Sequence, residues 1–150
     1  MRAVIQRVLS AEVTVGPETT GRIGRGLLVL LGVDDRDAAF DAEWTAQKTA
    51  QLRVFEDEQG VMNRSVTDIQ GDILVVSQFT LLASTKKGAR PSYHLAARPE
   101  KAIPLYEAFM AHCQRFTGRD VPSGRFGAAM RVHLVNDGPV TIILDSHLRE

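Results

Sequence analysis

Apolar residues in this chain fall into short runs with two different periods. Val4, Ile5 and Val8, then Val13 and Val15, predict two short strands, and the near-continuous run from Gly26 to Val33 predicts a buried one. Asp37 to Leu52 has no Gly or Pro and is rich in Ala, Gln, Glu and Lys, which predicts helix by propensity although the apolar spacing is loose. Arg53-Val54-Phe55 predicts a short strand ending at the turn residues Asp57 to Gly60, and Ile73 through Leu82 predicts a second long buried strand. Further on the period changes to 3.6. Ala102, Leu105, Tyr106, Phe109, Cys113 and Phe116 share one helical face and Glu100, Glu107, Ala111 and Gln114 the other, so a helix should pack here across a sheet. Pro104 fits that helix in its first turn or at a kink.

The last apolar stretch, Met130 through Leu144, is interrupted by Gly138-Pro139. Proline has no N–H to give to a strand ladder, so it marks an edge, a bulge or a turn, and an X-Pro bond is where a cis peptide is least costly. Asn136-Asp137-Gly138-Pro139 holds four turn-forming residues, and a hairpin connection between strands Met130 to Val135 and Val140 to Leu144 is the simplest expectation. Strands and helices interleave with no repeat, low-complexity stretch or linker, which predicts one α/β (α+β) domain over residues 1–150.

Charge and composition narrow the function. Lys plus Arg equals Asp plus Glu at 18 each, so no bulk positive field draws a polyanion, and any such partner must meet a local patch. The densest basic stretch is Lys86, Lys87, Arg90, Arg98 and Lys101 with Tyr93 and His94 between them; it reads either as a solvated loop or as a docking surface for an RNA backbone. Cys113, the one cysteine, cannot form an internal disulfide and fits a reducing compartment; its place on the apolar helix face predicts a structural role. The start of the chain lacks signal-peptide features and the longest apolar run, Leu27 to Leu31, is far too short to span a bilayer, so a cytoplasmic protein with no membrane partner is expected. Gly21-Arg22-Ile23-Gly24-Arg25-Gly26 precedes a strand rather than a helix, which predicts a turn and not a phosphate loop. His94, His112, His133 and His147 have no metal-binding spacing, so neither a metal nor another cofactor is expected. Ser77-Gln78-Phe79-Thr80-Leu81 places three hydrogen-bonding side chains inside an apolar run, with alternate residues on opposite faces if the run is a strand. Neither Ser77 nor Thr80 has a neighbouring His and acid, and no hydrolase triad is visible.

Ile5-Gln6-Arg7-Val8, the Gly26 to Val33 run, Met62-Asn63, Val75 through Leu81, Arg90-Pro91-Ser92 and Val135 through Thr141 together closely resemble the D-aminoacyl-tRNA deacylases, with the blocks SQFTL and NDGPVT intact and in the family's order. The resemblance implies a mixed β-sheet or partial barrel with packed helices. It implies a homodimer in which Gly138-Pro139 is cis and each subunit's pair enters the partner's active site beside Ser77, Gln78, Phe79 and Thr80. The implied substrate is the D-aminoacyl ester at the 3′ end of tRNA, its ammonium group held by main-chain atoms near Phe126 and Gly138, with Arg7 locking the Gly-Pro segment. The tail from Asp145 to Glu150 matches no motif and receives no role.

An esterase that accepts many side chains must read handedness at the α-carbon, and a rigid backbone wall does so by colliding with an L-residue's β-carbon. Glycine would then escape exclusion. Two mechanisms stay open: Thr80 as nucleophile, or N–H groups around Phe79 and Thr80 stabilising the oxyanion while the substrate's ribose 2′-OH assists, the second being preferred because Thr80 lacks an activating group. The rival readings are a non-catalytic RNA-binding dimer and a related proofreader of L-alanyl-tRNA.

Overall fold

The longest early element is one that the apolar pattern divides in two: β1 runs unbroken from Arg2 to Val15 in the computed structural model, which describes residues 1–149. Ala3 and Ile5 face one core cluster and Val8, Ala11 and Val13 another, and the changeover lies near Val8 and the exposed Leu9 and Ser10, where the pairing register with the last strand also shifts. The two short strands expected from Val4 to Val8 and from Val13 to Val15 are thus one strand with an irregularity inside it.

β2 (Glu18–Ile23) and β3 (Gly26–Gly32) fold back antiparallel along the same side of β1, from Val15↔Glu18 to Arg2↔Gly32. The glycine-rich stretch thus includes the joint between two strands, as expected. A β-carbon on Gly26 would lie 2.0 Å from the Asp72 carbonyl oxygen, so the close approach of the neighbouring strand requires glycine there. That neighbour, β6 (Asp72–Ser77), runs parallel to β3. Between them the chain crosses over through helix α1 (Ala39–Gln51) and the small pair β4 (Phe55–Glu56) and β5 (Met62–Arg64). Helix α2 spans Pro99–Thr117, and β7 (Arg131–Asp145) pairs with the free side of β1 along most of its length.

Leu27, Val29 and Leu31 of β3 and Ile73 and Val75 of β6 pack with Ala42, Ala46, Tyr106 and Phe109 of the helices, whereas Leu28, Leu74 and Val76 point to a second cluster with Val8 and Val13. Burial on both faces makes β3 and β6 continuous apolar runs rather than alternating ones. α1's loose periodicity also has a cause, since its buried positions are small: Ala42, Thr45, Ala46, Thr49 and Ala50. α2 begins with Pro99 at its N-terminus and ends at Gly118 with φ +70°. Pro104 lies inside the helix rather than in its first turn; it is exposed, so water can satisfy the carbonyl deprived of an N–H partner.

Two further expectations change. β6 ends at Ser77 instead of continuing to Leu82, and Phe79–Leu82 forms a 3-10 turn. Met130–Val135 and Val140–Leu144 are not hairpin partners, because both segments belong to β7 and pair with β1. The tail, assigned no role from sequence, ties the sheet's ends together. Asp145 accepts from Arg2 at 2.9 Å, Ser146 Oγ accepts from the buried Met1 amine at 2.7 Å, and His147 Nε2 lies 2.8 Å from Asp37 Oδ1. Glu150 lies outside the described residues. Among those residues no helix is long and apolar enough to cross a membrane.

Candidate functional site

Where β6 stops, the sheet opens into a cavity of about 290 Å³. The parallel strand ends of β3 and β6 form its base through Leu31, Val33, Val76 and Ser77, and Gln78 and Phe79 form one lip. Gln78 N–H still donates to the Leu31 carbonyl at 2.8 Å, after which the backbone leaves the sheet and turns. The turn is closed by Leu81 N–H to the Gln78 carbonyl (3.2 Å) and Ala83 N–H to the Thr80 carbonyl (3.1 Å). The N–H groups of Phe79 and Thr80 stand at its open end, where helical geometry supplies no internal acceptor. Thr80 Oγ1 accepts a hydrogen bond from the Gln78 amide, and the Phe79 ring, 57% exposed, meets Tyr93 edge-on with centroids 5.0 Å apart.

The opposite wall comes from the segment between α2 and β7. Pro122 and Gly124 extend it beside β6 through bonds to Val75 of 3.0 Å each, which brings Phe126, Gly127 and Met130 to the cavity. Tyr106 of α2 holds this corner, its hydroxyl donating to the Val75 carbonyl at 3.2 Å and its ring meeting Phe126 edge-on at 5.9 Å. Tyr106 is the one ionisable side chain of the lining, and burial pushes its pKa up, so it stays a neutral donor.

A separate construction surrounds Gly138-Pro139. On β1 only Arg7 lies between the paired residues Gln6 and Val8, but on β7 Asp137 through Val140 lie between their partners Thr141 and Asn136. The surplus forms an exposed bulge with a cis Gly138-Pro139 peptide. Arg7, 8% exposed, donates to the Asp137 carbonyl (2.8 Å) and the Val54 carbonyl (2.6 Å), and its Nε lies 3.3 Å from the Asp137 carboxylate. Asn136 spans the neck of the bulge, its amide donating to the carbonyls of Arg7 (3.0 Å) and Val140 (3.2 Å). A β-carbon on Gly138 would lie 2.0 Å from Val140 N. No side chain fits.

Of the residues singled out in the sequence, Ser77, Gln78, Phe79 and Phe126 line one cavity and Thr80 adjoins it, while Arg7, Gly138 and Pro139 form the bulge and are absent from that lining. Sequence reasoning missed Asn136 and Tyr106. Asn136 counted as a turn former and Tyr106 as a core residue; a hydroxyl on an otherwise apolar helical face was the available signal for the latter. Cys113 is fully buried, and burial pushes its thiol up to about 12, which leaves no thiolate for nucleophilic attack near neutrality. Asp37, Asp41 and His147 offer ligand atoms within 4.8 Å of one another, but the Asp37 carboxylate is engaged by the Met1 amine and His147.

Residues 4–145 match the family model described as D-Tyr-tRNA(Tyr) deacylase. The chain is 61% identical over 150 residues, all of both sequences, to the D-aminoacyl-tRNA deacylase of Opitutus terrae. It is 55% identical, again over the whole of both, to that of Parabacteroides distasonis. Among solved structures it is similar to a c-Myc DNA Unwinding Element Binding Protein, with TM-score 0.90 and 46% identity, covering 97% of this chain and 98% of the other. A probable eukaryotic D-amino acid tRNA deacylase superposes with TM-score 0.80, covering 95% and 97%; at 20% identity that likeness shows the fold alone.

Proposed function

The chain belongs to the D-Tyr-tRNA(Tyr) deacylase family and is a hydrolase of D-aminoacyl-tRNA, and from that premise we propose that it cleaves the ester with backbone donors and the substrate's own 2′-OH, selecting handedness with a Gly138-Pro139 wall supplied by a second subunit. One observation carries the chemical half of this reading: the cavity lining contains no Asp, Glu, His, Lys or Arg. A water or hydroxyl attacking there has no side-chain base to accept its proton. The ribose 2′-OH beside the ester is the nearest group able to assist, and the N–H groups of Phe79 and Thr80 are the donors that can meet the developing oxyanion. Thr80 Oγ1, engaged by an amide that gives a hydrogen and takes none, is a poor nucleophile.

The stereochemical half rests on the bulge. It is exposed, rigidly bonded and outside the cavity of its own chain, while β7 carries the exposed apolar residues Leu134, Val135 and Ile143 on an edge strand. A homodimer joined near this edge would cover those residues and bring one chain's Gly138-Pro139 to the other's cavity. There the wall meets the substrate α-carbon while main-chain atoms near Phe126 and Gly138 hold the ammonium group. An L-residue is excluded by its β-carbon, and a D-residue directs its β-carbon outward.

The test compares Thr80→Ala acting on D-Tyr-tRNA with the unaltered enzyme acting on the same tRNA ending in 2′-deoxyadenosine. The expected result is a loss of more than about 100-fold for the deoxy substrate and less than about tenfold for the variant. Loss confined to Thr80→Ala would establish the threonine instead. Glycyl-tRNA, which has no β-carbon, should be cleaved at enzyme levels that clear D-Tyr-tRNA; its resistance would show that the filter is not purely steric.

A further inference from the structure

We propose that the loop from Ser84 to Ser92 is the docking surface for the phosphate backbone of the tRNA acceptor end, with Lys86, Lys87 and Arg90 as its cations. The inference rests on the deacylase reading and deepens it by naming where the polynucleotide lies. From Ile73 through Pro99 the sequence contains no Asp or Glu but has Lys86, Lys87, Arg90 and Arg98, in a chain whose formal net charge is zero. Elsewhere cations are mostly neutralised in place: Arg22, Arg36, Arg64, Arg115, Arg119 and Arg125 each meet a carboxylate. Among the described residues Lys86, Lys87 and Arg90 form no ion pair. All three are exposed.

The loop is held rather than free. Ser84 and Ser92 exchange two backbone hydrogen bonds of 2.8 and 2.9 Å, which close its base. Immediately before this base lies the Phe79–Leu82 turn, and immediately after it Tyr93 packs against Phe79, a residue of the cavity lip. The cations therefore project from the same scaffold that forms the mouth. A terminal adenosine lodged in the cavity must lead its preceding nucleotides out over this lip. Their phosphates are the only strongly anionic feature of the substrate, and a positive, carboxylate-free loop meets them there.

Three such contacts to a single strand predict a counterion release of about two, which is a ~20-fold weakening of binding between 50 and 200 mM salt. The variant Lys86→Gln/Lys87→Gln/Arg90→Gln is compared with the unaltered protein on D-Tyr-tRNA and on 3′-O-(D-tyrosyl)adenosine, which has the ester and no phosphate. The expected result is a KM for the tRNA raised about tenfold or more at low salt, a salt dependence of log kcat/KM shallower by about two, an unchanged kcat, and unchanged cleavage of the adenosine ester. Arg53→Gln, a cation beyond the other end of α1, should leave all four quantities alone. An unaltered KM and salt dependence would overturn the proposal, as would equal losses on both substrates, which would mean that the loop shapes the cavity. Failure of the unaltered protein on both substrates would instead sink the deacylase reading beneath it.

Discussion

The sheet is interrupted twice at places that matter, and the interruptions are built in opposite ways. At the end of β6 the chain leaves the ladder and exposes N–H groups at Phe79 and Thr80, beside a ring that is largely open to solvent. In β7 the chain leaves the ladder at Asp137, and its polar groups are taken up again by Arg7 and Asn136. Unpaired backbone donors are available to a ligand; a satisfied backbone is only a shape. In the function proposed above, the first interruption would serve the chemistry and the second the steric selection.

Substituting Gly138→Ala attacks the shape directly, because the new methyl would collide with Val140 N. Displacing the bulge by ~1 Å should reduce D-Tyr-tRNA cleavage about 100-fold, measured under single-turnover conditions. Phe79→Ala, on the lip, should also impair cleavage. Mixing chains that carry one substitution each then separates the two regions: if they belong to different subunits of one site, mixed dimers recover activity that neither parent has. Absence of recovery would place wall and lip in the same chain.

A smaller effect is expected from Arg7→Ala, which removes the bonds to the Asp137 and Val54 carbonyls. Loss of charge-assisted hydrogen bonds at a nearly buried site should lower stability by about 2 to 3 kcal/mol, visible as a shift of the urea midpoint. Arg7→Lys should recover only part, since one ammonium cannot reproduce the guanidinium fork.

The lip side has its own support in Asp34, whose backbone bridges Ala96 beyond Tyr93. Its hydrogen bond from the Arg36 guanidinium holds its pKa near 2, below the ordinary 3.8. A carboxylate with a depressed folded-state pKa adds stability that is present above pH 3.8 and is lost as pH falls through 2. Solvent around exposed Arg36 keeps this effect the smallest of the set. Asp34→Asn should flatten the fall of the urea midpoint between about pH 4 and pH 2.

Much of this was legible in the sequence, and the parts that were not share a cause. β3 and α2 were visible because their burial repeats over several turns or residues. The lip was readable as residues but not as geometry: Ser77 to Leu82 is apolar enough to continue a strand, and nothing local reveals that Gly32, rather than a further strand partner, lies against Leu82. The bulge was mistaken for a hairpin because Asn136 to Pro139 has the composition of a turn, while the strand that holds both its flanks is at the other end of the chain. Arg7 could be tied to the Gly-Pro segment only through family resemblance, since 130 residues separate it from Asp137. Contacts of that range leave no local pattern.

The pairing of β1 with β7 also sets an order in time. Arg2 and Asp145 are 143 residues apart, so at roughly 5 to 20 residues per second the first strand waits on the order of 10 to 30 s for its partner to emerge from the ribosome. The same late segment brings Met130 and Val132 to the cavity and carries Gly138-Pro139. The last wall of the cavity and the Gly138-Pro139 bulge are therefore both late arrivals, supplied close together in the chain after β1, β2, β3 and β6 have been synthesised.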